Sequence, residues 1–112
     1  MKYKIDEKYN CVVIKLKGDV VGGPHAEEFT DTLHRLVDEG KKQIILDLGK
    51  VKFMNSSGIG ILISGYTTVK NAGGELCICR ADKKIKDLLV VTQLITVFTH
   101  YQTVDEAVES FQ

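Results

Sequence analysis

The chain has 112 residues, of which 44% are hydrophobic and 27% charged. That fits one globular domain over residues 1–112 with enough length for one core, and it is wrong for a disordered chain. Fifteen Lys+Arg cancel fifteen Asp+Glu, which argues against a dedicated nucleic-acid binder but says nothing about how the charge is distributed.

The first residues, Met1-Lys2-Tyr3-Lys4-Ile5-Asp6-Glu7-Lys8, alternate in charge and lack the apolar stretch of a signal peptide. The cytoplasm is therefore the expected address. No apolar run approaches the ~18 residues of a membrane span, so no membrane insertion is expected. Residues 2–8 alternate weakly, as a short edge strand would. Val12, Ile14 and Leu16 alternate with Val13, Lys15 and Lys17, which predicts a half-buried strand ending at Gly18. Residues 18–23 read as a loop.

Pro24 suits the first position of a helix, with Gly23 as its N-cap. Ala26, Phe29, Leu33, Leu36 and Val37 recur at three- and four-residue spacing and give that helix one apolar face, and Gly40 closes it. The near-continuous apolar run from Gln43 to Leu48 predicts a strand covered on both faces. Residues 49–55 read as a connection to a second helix starting near Ser56 or Ser57, with Ile59, Leu62, Ile63, Tyr66 and Val69 as its buried stripe. Gly73-Gly74 stops that helix, and Glu75–Arg80 is the next strand.

Lys83–Val90 is a short amphipathic helix built on Ile85, Leu88 and Leu89, and Ile95–Thr99 a short strand. Thr103-Val104-Asp105-Glu106 matches a capping box and opens a last helix with Val104, Ala107, Val108 and Phe111 inward. The order β-β-α-β-α-β-α-β-α predicts an α/β fold: a mixed, mostly parallel sheet of four to five strands flanked by about four helices, with the first strand as an antiparallel edge.

The most distinctive segment is Phe53-Met54-Asn55-Ser56-Ser57-Gly58-Ile59-Gly60. Ser56 or Ser57 can cap the second helix. Gly58, Gly60 and Gly65 each weaken a helix by ~1 kcal/mol relative to alanine, so their clustering predicts a close approach to its backbone. A phosphate on Ser56 is compatible with a helix N-terminus, and it adds about −2 charge to that surface.

With this segment in this order of elements, the chain resembles the STAS domain of bacterial anti-sigma-factor antagonists. The resemblance covers nearly the whole chain, including Ile44–Leu48, Asn71-Ala72-Gly73-Gly74-Glu75-Leu76 and the Leu88–Phe98 region. It implies a regulator of transcription that acts by protein–protein interaction, a signalling phosphoprotein and not an enzyme. Unphosphorylated, it binds an anti-sigma factor that is also a serine kinase. Phosphorylation at Ser56 releases it, and a metal-dependent serine phosphatase restores it. The expected docking surface is Asp19, Val21, Gly22, Asn55, Ser56, Ser57, Gly58, and Ile61 and Ser64 on an exposed helix face.

The family's aspartate before the serine is Asn55 here, and its Gly-Glu-Leu-Asp loop is Gly18-Asp19-Val20-Val21. Loss of both acids motivates an alternative: a non-phosphorylated STAS scaffold or ligand-binding module of a multi-protein or transporter-associated complex.

No catalytic residue, metal ligand or cofactor site is expected. Cys77 and Cys79 share a strand face, but Cys11, His25, His34 and His100 add no ligand spacing, and three cysteines fit reduced thiols. Gly22-Gly23-Pro24 lacks a phosphate-loop pattern, and Asn55-Ser56-Ser57-Gly58 lacks that of a serine hydrolase.

Overall fold

Strand β1 (Lys2–Glu7) turns back through a hydrogen bond from Lys8 N to Cys11 O (2.8 Å) and pairs antiparallel with β2 (Val12–Val20). The computed structural model describes residues 2–111. Every later connection crosses over through a helix. Helix α1 (Pro24–Asp38) leads to β3 (Gln43–Met54), α2 (Ser56–Asn71) to β4 (Glu75–Cys79), and α3 (Lys83–Val91) with a 3-10 turn (Leu94–Thr96) to β5 (His100–Tyr101). Helix α4 (Val104–Glu109) follows. The five strands lie in the order β1-β2-β3-β4-β5, all parallel from β2 onward.

The pleat divides the sheet into two unequal sides. Val12, Ile14, Leu16, Ile44, Leu46, Leu76 and Ile78 face α1, α2 and α3 and form the main core with Phe29, Leu33, Leu36, Leu62, Ile85, Leu89 and Phe98. Among the described residues the other side is covered only by α4, whose Ala107 joins Cys11, Val13, Ile45, Cys77 and Cys79 in a second, smaller cluster. All five residues of the predicted α1 face are buried, and the helix ends where Gly40 (φ +83°) lets Lys41 N reach back to Leu36 O (2.9 Å).

Three expectations fail locally. Residues 18–20 are strand and not loop: Leu16 and Val20 stay on the core side, and Gly18 carries the chain through a bulge at φ +87°. Residues 49–54 also continue β3. Register shifts opposite Lys15/Lys17 and Gly18/Asp19 each insert an extra residue, so Leu48, Val51 and Met54 reach the core at a spacing of three, which hides the period of two. The predicted strand Ile95–Thr99 is instead the 3-10 turn and an irregular stretch, with Ile95 and Val97 exposed and Phe98 buried edge-on against Tyr66 (centroids 5.4 Å apart). Pairing with β4 begins only where Ile78 N donates to Thr99 O (3.0 Å).

This second side also carries the one buried charge among the described residues. Asp47 is 1% exposed and accepts from Gly49 N (2.9 Å) and Arg80 Nη1 (3.1 Å). The Arg80 guanidinium lies flat over Gly49, where a Cβ would fall 2.6 Å from it.

Candidate functional site

Val20 and Met54 are partners at the ends of neighbouring parallel strands, so the chain leaves β2 and β3 at one edge of the sheet. Helices α1 and α2 therefore start side by side. They lie close along their length: a Cβ on Gly65 would sit 2.8 Å from Leu33 Cδ1.

Asn55, not Ser56 or Ser57, is the N-cap of α2. Its backbone is extended (φ −104°, ψ −175°), and its side-chain oxygen accepts from Gly58 N at 2.8 Å. Asn55 O takes the first helical bond, from Ile59 N (2.9 Å). The cap is filled without a serine, which leaves both hydroxyls at exposed positions of the first turn.

Gly58 is buried because the turn rests on the end of β2. An added Cβ would strike the Val20 carbonyl and stand 3.0 Å from Met54 Cγ. Gly22 closes the other side, where its Cβ would be 3.3 Å from that of Ser57. Gly58 and Gly65 thus meet the expectation of close approach. Gly60 does not: nothing lies within 4 Å of its missing Cβ.

What lies beside Gly60 is an open cleft of about 590 Å³ between α1 and α2, lined by Ala26, Glu27, Thr30, Asp31, Ser57, Gly60, Ile61 and Ser64. The structure brings Gly22, Asn55, Ser56, Ser57 and Gly58 together at the start of α2, with Ser64 farther along the cleft. Asp19 is exposed on the β2 end and Val21 half-buried.

Ile61 was expected on an exposed helix face and is only 9% exposed; its side chain belongs to the core and merely edges the cleft. Ile63, expected inside, is 40% exposed. Gly58 and Gly65 cause this rotation: they bring β2 and α1 onto a face that a hydrophobicity count assigns elsewhere. Glu27 and Asp31, which give the cleft an acidic wall, carry no motif. Their place beside Ser57 and Ser64 exists only once the helices are packed.

The cysteines offer no reactive centre. Burial pushes the Cys77 and Cys79 thiols up to about 12, and it raises Cys11 as well. They are neutral small apolar groups under α4.

The family model for the STAS domain matches residues 2–107. BtrV of Bordetella bronchiseptica is 23% identical over all of this chain and 96% of that protein. The anti-sigma F factor antagonist of Paenibacillus polymyxa is 22% identical over 90% of this chain and 86% of that protein. Among solved structures, the Bacillus cell fate determinant SpoIIAA in its phosphorylated form superposes with a TM-score of 0.76, at 18% identity, over 99% of this chain and 100% of that one. With the match spanning nearly every element of the fold, the chain belongs to the STAS domain family.

Proposed function

We propose that this STAS domain is an anti-sigma-factor antagonist and that Ser56 is its phosphorylation switch. One observation carries the reading: Asn55 fills the cap of α2 and leaves the neighbouring Ser56 hydroxyl exposed, one residue before Ser57, which lines the cleft between α1 and α2. The relatives named as antagonists of anti-sigma factors, and the phosphorylated SpoIIAA structure, supply the role.

The chemistry follows from the position. A phosphate at the first helical residue meets the unpaired N–H groups and the positive end of the helix, an interaction worth ~0.3–1 kcal/mol at an exposed site. The domain therefore stays folded. The docking surface changes instead, because about two negative charges arrive beside a cleft already walled by Glu27 and Asp31.

The unmodified chain binds an anti-sigma factor with serine-kinase activity, in the cytoplasm. Phosphate transfer ends that complex, and a serine phosphatase resets it. The chain is the substrate in both reactions and the catalyst in neither. Asn55 and Val21, standing where the resembled family has acids, favour the second reading of a constitutive scaffold.

Two measurements separate these readings. Phosphosite mapping of the protein isolated from its host gives one phosphate, on Ser56. Ser56→Ala retains binding to the cognate anti-sigma factor, and Ser56→Asp weakens it. Equal binding by both variants, with no phosphate under growth, starvation or stress, refutes the switch in favour of the scaffold.

A further inference from the structure

On the side of the sheet away from the main core, the end formed by β1, β2 and β3, which α4 leaves open, is cationic although the chain is neutral. Tyr3, Ile5, Ile14 and Leu16 point into the core side, so Lys2, Lys4, Lys15 and Lys17 point away from it. Across the ladder Lys2 stands opposite Lys17, and Lys17 opposite Lys50. In the next row Lys4 stands opposite Lys15. All five lysines are exposed, and among the described residues none forms an ion pair.

The carboxylates nearby do not cancel them. Asp47 is held by Arg80 (3.1 Å) and Asp6 by Lys8 (3.1 Å), which leaves Asp19. Asp105, Glu106 and Glu109 ride on α4, over the other end of this side. Beyond the upper lysine row Asp19 pairs with Phe53, which is 51% exposed. On the opposite side α1 and its C-cap carry Glu27, Glu28, Asp31, Asp38 and Glu39 against Arg35, whereas α3 carries Lys83, Lys84 and Lys86.

Like charges directly opposed across a ladder destabilise a sheet. Lysines on an edge strand discourage edge pairing, which accounts for Lys2 and Lys4. Lys15, Lys17 and Lys50 lie in interior strands, where no edge needs protecting.

We propose that this face, with Lys2, Lys4, Lys15, Lys17 and Lys50 around Phe53, docks on an anionic lipid surface. The lysines meet the negative headgroups, and the Phe53 ring enters the boundary between headgroups and acyl chains. The core of a protein–protein interface is depleted in lysine. Single-stranded nucleic acid takes a series of stacking aromatics, and here one ring stands alone. A sheet side with a cation row about 10 Å wide and one apolar anchor matches a charged bilayer better than either. The inference is independent of any role for Ser56.

The test is co-sedimentation of the full chain with vesicles of phosphatidylcholine, with and without phosphatidylglycerol. Binding requires phosphatidylglycerol and weakens as salt rises. Lys17→Glu/Lys50→Glu lowers the partition coefficient by well over twenty-five-fold, the product of roughly fivefold for each lysine charge lost, because each site also gains a negative charge. Lys17→Gln/Lys50→Gln lowers it less. Lys83→Gln/Lys84→Gln, on α3, leaves it unchanged. Phe53→Ser removes the fraction that survives physiological salt.

The lysine changes are at exposed positions, and Lys17→Glu sets an acid between Lys2 and Lys50, so the variants keep the native circular dichroism. Absence of binding to phosphatidylglycerol vesicles overturns the proposal. So does unchanged binding by the Lys17/Lys50 variants or by Phe53→Ser. Tighter binding to a single-stranded RNA oligomer, abolished by the same lysine changes, overturns it in favour of a nucleic-acid ligand.

Discussion

Gly58 and Gly60 are the same residue in the same helix, two positions apart, and the structure predicts opposite outcomes for the same change. Helix propensity alone gives each Gly→Ala substitution a gain of ~1 kcal/mol. At Gly60 nothing lies within 4 Å of the new methyl group, so the gain is kept. At Gly58 the methyl group meets the Val20 carbonyl, a backbone atom fixed by the pairing of Val20 with Met54. Relief requires moving either the strand end or the start of α2, and overpacking of this kind costs ~1–3 kcal/mol, or more against backbone. The two variants should therefore differ by about 3 kcal/mol, Gly60→Ala above the parent and Gly58→Ala below it. With urea slopes of ~1–3 kcal/mol/M, the midpoints separate by roughly 1 M or more. Urea titration followed by circular dichroism reads this directly. If Gly58→Ala is as stable as Gly60→Ala, the seat of α2 on β2 is wrong, and so is the site geometry built on it.

Asn55→Ala should cost ~1 kcal/mol by removing the cap bond to Gly58, whereas Asn55→Asp keeps the bond, adds a favourable charge at the helix start and should match or exceed the parent; a chemical denaturation series decides. The thiols predict a pH limit. In the unfolded chain Cys77 and Cys79 ionise near 9.0, but in the fold burial holds them neutral to about 12. Their stabilising contribution is complete below pH 9.0 and is lost as pH rises toward 12. Denaturation midpoints should thus fall on that limb, less steeply in Cys77→Ala/Cys79→Ala.

Elements with local punctuation are legible in the sequence. Pro24 and Gly40 bracket α1, and Thr103 opens α4 by accepting from Glu106 N (3.1 Å). What was misplaced depends on pairing. The far halves of β2 and β3 contain bulges, which break the alternation on which strand reading rests. At the site, Asn55, Ser56 and Ser57 are all good caps, so composition leaves the start of α2 open by one or two residues; only backbone geometry selects Asn55. The acidic wall of Glu27 and Asp31 and the lysine rows are likewise products of register and helix packing. Neighbours across a sheet or between helices have no fixed separation along the chain.

Helix α2 is held at several points along its length. Its first turn rests on the Val20 carbonyl through Gly58, and Gly65 admits Leu33 at the middle. Farther along, Tyr66 meets Phe98 edge-on, and Lys70 is tied to Glu75 at 2.9 Å. A slide by even one residue, ~1.5 Å along the axis, would carry side-chain-bearing positions into the gaps the two glycines leave. The helix is a riveted beam and not a piston. A group attached at Ser56 has no lever to pull, so whatever it signals must be read by touch, at the spot where it sits.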